Sequence, residues 1–125
     1  MPAKLSHVCL FTDDVQALTR FYEFVLDMPA DSNLGTYVQF KTEGAAILAI
    51  WEIAEQNEHA PGSAELRMNK SSILEFRVKD VDKEFGRLSE YGVQWVKEPT
   101  TQPWGTRSTY FRDLDGNLVS FYSMP

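Results

Sequence analysis

Apolar positions along the chain recur with either a two-residue or a 3.6-residue period, and each change of period marks an element. Leu5 to Phe11 is a short apolar run broken by Ser6 and His7 and ended by Thr12-Asp13-Asp14, which predicts a strand running into a helix N-cap. Val15, Leu18, Phe21, Tyr22, Val25 and Leu26 then recur at helical spacing until Pro29, which lacks an N–H and stops the helix. Thr36 to Lys41 and Ala45 to Trp51 read as two strands around Thr42-Glu43-Gly44, with a weaker strand near Ala30 to Asn33. Ile53 to Lys70 is polar, carries Pro61-Gly62-Ser63 and is long for a connection in a compact domain, so a mobile linker or a flap over a ligand is expected there. Beyond it the pattern predicts a strand over Ser72 to Val78 and a helix from Asp80 to about Tyr91, closed by Gly92. Strands over Val93 to Lys97, Thr106 to Arg112 and Asn117 to Ser123 complete the series, the last two joined at Asp115-Gly116-Asn117.

The second series replays the first. Phe11-Thr12-Asp13-Asp14-Val15 is matched by Arg77-Val78-Lys79-Asp80-Val81, 66 positions later, and Leu48-Ala49-Ile50-Trp51 by Val119-Ser120-Phe121-Tyr122 at an offset of 71. Two similar half-units related by a pseudo-twofold axis bring equivalent positions to one shared site, which makes His7, Ala49, Ile73 and Ser120 the positions of interest. Strand alternation sets Leu74, Phe76 and Val78 against a helix and Ile73, Glu75 and Arg77 on the opposite face. The same rule puts His7, Cys9 and Phe11, Ala49 and Trp51, Ser108 and Tyr110, and Ser120 and Tyr122 on that opposite face. A face so polar is expected to line a partly wet cavity rather than a core.

Composition narrows the range of functions. With 125 residues, 43% hydrophobic content and 24% charged content, the chain is the size of one globular domain with a real core. A net charge of -6 argues against nucleic acid or an anionic membrane as partner and leaves a neutral or cationic small molecule. The single cysteine, Cys9, excludes an intramolecular disulfide and fits a reducing, cytoplasmic setting. Met1 to Leu10 lacks the pattern of a secretory leader, and Gly44 to Trp51 is too short an apolar stretch to cross a bilayer.

The two half-units, the acidic turn before the first helix, Phe21-Tyr22 within it, and Phe111-Arg112-Asp113-Leu114-Asp115-Gly116-Asn117 near the end resemble the vicinal oxygen chelate superfamily. That superfamily includes glyoxalase I, extradiol dioxygenases, and fosfomycin- and bleomycin-resistance proteins. The resemblance covers nearly the whole chain and implies an α+β fold: two pseudo-symmetric βαβββ modules forming a curved, partly open, barrel-like sheet with helices outside. Module one would span about 4–52, a linker 53–70 and module two about 71–125 of a single domain, and a homodimer is implied as well. Metal-dependent relatives place their ligands at positions equivalent to His7, Ala49, Ile73 and Ser120. Only His7 is a competent donor, and no one-residue shift of a strand restores the set, so no metal and no cofactor are expected. Ser108 and Tyr110 fall where fosfomycin-resistance relatives carry Ser and Tyr against their ligand.

Two readings of function follow. One is a metal-free protein of the bleomycin-resistance type holding a small molecule in an aromatic-lined cavity, with His7, Phe11, Trp51, Glu75, Arg77, Trp104, Arg107, Ser108, Tyr110, Ser120 and Tyr122 as its binding residues. The other is a lyase, isomerase or dioxygenase-like enzyme using His7 with Glu75, with or without a divalent metal. Glu75 reaches toward His7 or pairs with Arg77 or Arg107. Trp104 and Arg107 close one end of the cavity, or the indole covers a dimer interface or a sheet edge. A scaffold with a vestigial cavity is the third possibility.

Overall fold

A computed structural model describes residues 2–125. The chain divides into two compact units, Met1–Met68 and Asn69–Pro125, each built on its own four-stranded mixed sheet. Among the described residues the fold is α+β, with three helices, and neither sheet closes on itself.

The first unit contains β1 (His7–Thr12), α1 (Val15–Leu26), β2 (Ser32–Asn33), β3 (Tyr37–Phe40), β4 (Ile47–Glu52) and α2 (Ile53–His59). Its strand order is β1-β4-β3-β2, with β1 parallel to β4 and the other pairs antiparallel. Asp14 caps α1 by accepting from the Ala17 N–H, and the helix ends at Asp27 in the left-handed conformation. Leu10, Leu18, Phe21, Val25, Val38, Phe40, Leu48 and Ile50 are buried where α1 packs on β3 and β4. Each such large side chain contributes about 1.5–3 kcal/mol by leaving water.

The second unit contains β5 (Ile73–Arg77), α3 (Val81–Tyr91), β6 (Gln94–Thr101), β7 (Arg107–Arg112) and β8 (Leu118–Ser123), in strand order β5-β8-β7-β6. Asp80 caps α3, and Gly92 at φ 85° ends it, a conformation that costs glycine nothing. A run of ring contacts, Phe85–Trp95, Trp95–Phe111, Phe111–Phe121 and Phe121–Phe76, forms the core on the α3 face of the sheet. The β7–β8 turn is fastened by Asp113, whose buried carboxylate accepts from the N–H groups of Asp115 and Asn117 and from the Asn117 amide.

Two expectations are corrected. Ile53 to Lys70 is not irregular throughout, because its first seven residues form α2. No residue of α2 is buried, so the polar sequence carries no apolar period, and the helix is held by polar contacts to β4 and its neighbours. The strand expected to stop at Lys97 runs on to Thr101 through Pro99. It does so because β6 is an edge strand with register shifts after Trp95 and Lys97, where a residue without an N–H is tolerated.

Candidate functional site

Strand register in the second unit places two rows of side chains on the face opposite α3. Glu75, Ser120 and Tyr110 form one row, and Arg77, Tyr122 and Ser108 the next. Against these rows the chain folds a tight turn ahead of β7, in which the Gly105 N–H donates to the Gln102 carbonyl and the Gln102 N–H to that of Thr106. The turn carries Trp104, and the result is an open cavity of about 140 Å³ lined by Glu75, Trp104, Thr106, Ser108, Tyr110 and Tyr122. An engineered cavity of about 150 Å³ accommodates benzene, so this one has room for a single six-membered ring. Trp104 is 71% exposed, which leaves its indole as a free stacking surface rather than part of the core.

Five of the six lining residues are among the expected binding residues. The sixth, Thr106, begins the strand expected over Thr106 to Arg112 and shares the period-two face of Ser108 and Tyr110. Ser120 is fully buried between Glu75 and Tyr110, and its Oγ has no hydrogen-bond partner among the described residues. Glu75 and Arg77 are both exposed, and Glu75 makes no ion pair with Arg77 or Arg107. A carboxylate already in contact with water needs no counter-ion, which removes the reason for the expected pair. Arg107, expected at the cavity end, turns to α3 instead. Its Nε and Nη2 donate to the two oxygens of Asp82 at 2.8 and 2.9 Å, and its Nη1 to Thr101. This hydrogen-bonded pair holds Asp82 below and Arg107 above their usual pKa values.

His7, Phe11 and Trp51 belong to the first unit, on the face of its sheet opposite α1. There the Gln39 amide donates to His7 Nε2 at 3.3 Å and to the Tyr37 hydroxyl at 2.8 Å, and His7 Nδ1 lies 2.9 Å from Ser6 Oγ. Both ring nitrogens of His7 thus lie within hydrogen-bonding distance of a polar side chain. Trp51 meets Tyr37 edge-on at 6.0 Å and His59 at 5.9 Å, and its indole N–H donates to Glu55. That bond, with one from Thr36, keeps the Glu55 carboxyl below its ordinary pKa. Cys9 pairs with Ala49 in the register, and burial pushes its thiol up to about 11.

The model of the glyoxalase/bleomycin resistance protein/dioxygenase superfamily matches residues 4–121. The chain belongs to that superfamily. Among relatives, this superfamily member is 31% identical over 97% of its length to 98% of the uncharacterized protein YraH of Bacillus subtilis. It is 27% identical, over 88% of its own chain and 84% of the other, to the phenazine antibiotic resistance protein EhpR of Enterobacter agglomerans. A solved glyoxalase/bleomycin resistance protein/dioxygenase from Nocardioides superposes with a TM-score of 0.81 at 23% identity, covering 99% of this chain and 85% of that one. The resemblance implies a divalent ion at His7, Ala49, Ile73 and Ser120. The residues of this superfamily member do not fit one. Ala49 and Ile73 carry no donor and the Ser120 hydroxyl is neutral and fully buried, which leaves His7 as the one competent donor of the four. Among the described residues no three His, Cys, Asp or Glu side chains gather into an alternative set.

Proposed function

We propose that this superfamily member is a small-molecule-binding protein of the resistance type, which holds a planar aromatic guest without transforming it. The observation that carries this reading is the open cavity of the second unit, with three aromatic side chains, Trp104, Tyr110 and Tyr122, around space for one ring. A guest seats one ring in the cavity and lays the rest of its plane along the exposed Trp104 indole, where stacking is worth about 0.5–1.5 kcal/mol beyond the area buried. Ser108 and Thr106 supply hydroxyls that orient it. The relative named for phenazine resistance supports the choice of a flat heteroaromatic guest. The enzyme reading through His7 and Glu75 is disfavoured by the absence of donors at Ala49 and Ile73. The same proposal takes the protein as cytoplasmic and homodimeric, the latter to be read from its mass in solution by light scattering.

Tryptophan fluorescence tests the reading. Titration with phenazine is expected to quench saturably, and Trp104→Ala to weaken binding by about tenfold, as for loss of one stacking partner. Stoichiometric divalent metal in protein purified without chelator, lost on His7→Ala, would overturn the binding-protein proposal in favour of metal-dependent chemistry.

A further inference from the structure

The cavity of the second unit contains one charged side chain, Glu75, and it is negative. Glu75 has no ion-pair partner among the described residues. Arg107, the cation that sequence would have supplied, is committed to Asp82 through two hydrogen bonds. The aromatic walls reinforce the same sign of field, since the faces of Trp104, Tyr110 and Tyr122 are the negative ends of their quadrupoles. A carboxylate and aromatic walls share one requirement, which is a positively charged group bearing N–H donors.

We infer that the guest of this cavity is an aromatic ring carrying a protonated amine or amidine, whose N–H groups donate to the Glu75 carboxylate while the ring stacks among Trp104, Tyr110 and Tyr122. The inference rests on the aromatic-guest proposal and adds the charge of the guest and the residue that reads it. Glu75 is therefore the specificity-determining residue of the site. The net charge of -6 for the whole chain acts in the same direction by drawing cations toward it at low ionic strength.

Three probes sharing one tricyclic skeleton separate the shape of the guest from its charge. At pH 8, 9-aminoacridine is cationic, acridine neutral and acridine-9-carboxylate anionic, and each is titrated against the intact protein in low and in 0.5 M salt. The cation is expected to bind about tenfold more tightly than neutral acridine in low salt, and the anion most weakly. Glu75→Gln keeps the shape of the side chain and removes its charge, so it is expected to lose most of the preference for 9-aminoacridine over acridine. Equal binding of all three probes, or a cation preference that survives in Glu75→Gln, would overturn the inference while leaving the aromatic-guest proposal standing. Binding of none of the three removes both. Tightest binding of acridine-9-carboxylate overturns the inference and directs attention to exposed Arg77, which neighbours Tyr122 in the register.

Discussion

Cys9 sits next to Ala49 in the register, and burial raises its thiol from 9.0 to about 11. The thiolate is the nucleophile, so a shift of this size lowers its population about a hundredfold at any pH below 9. Native protein at pH 8 is expected to react with iodoacetamide about two orders of magnitude more slowly than protein unfolded in urea. Equal rates would show that the thiol is not shielded. The linked effect on stability has a definite sign. The unfolded thiol releases its proton first, so the stability associated with the protonated native thiol is complete below pH 9 and declines as pH rises toward 11. At this scale the residue types were legible and their partners were not. Glu75, Ser108, Tyr110 and Tyr122 follow from alternation alone, whereas Arg107 pairs with Asp82, 25 positions away, a choice made by how α3 lies on its sheet.

Among the elements, α2 separates local from tertiary causes most clearly. Seven residues are too few for a helix to persist alone in water, and α2 buries none of them. Glu55 anchors it, accepting from the Trp51 indole at 3.1 Å and the Thr36 hydroxyl at 3.2 Å, while His59 at its last turn meets the Trp51 ring. These bonds depress the Glu55 pKa below its ordinary 4.5, the Trp51 bond being the main cause and the charge of His59 a lesser one. A depressed carboxyl stabilises the docked helix fully above pH 4.5, and that contribution is lost as pH falls through the lowered native value. Acidification below pH 4.5 is thus expected to reduce amide protection over Ile53–His59 and to alter Trp51 emission. In Glu55→Gln the protection is expected to be lower already at pH 7 and the acid step to vanish; an unchanged step would assign the transition to another group.

For the whole molecule, binding and stability are linked by mass action. A ligand held by the native state alone adds about 2.7 kcal/mol at a hundred times its Kd, which raises the thermal midpoint of a chain of this length by about 10 °C. With 9-aminoacridine the midpoint is expected to climb with the logarithm of concentration, and the association rate to fall as salt screens the -6 charge. A midpoint independent of ligand would contradict binding to the folded chain.

Sequence alone determined the element order apart from α2, the duplicated α+β plan, and the face of each strand that carries polar and aromatic side chains. Those features rest on local periodicity, capping residues and turn chemistry, which act within a few residues of one another. It also determined that the usual metal positions hold Ala49, Ile73 and Ser120, because donor chemistry belongs to the residue itself. Tertiary structure decided the remainder: the helix within a segment that had no period, the passage of β6 through Pro99, and the capture of Arg107 by Asp82. Each of these depends on contacts between segments far apart in the chain. Partners for exposed polar side chains are selected by the packing of elements, since one guanidinium or carboxylate suits several partners equally until the fold brings a single one within reach.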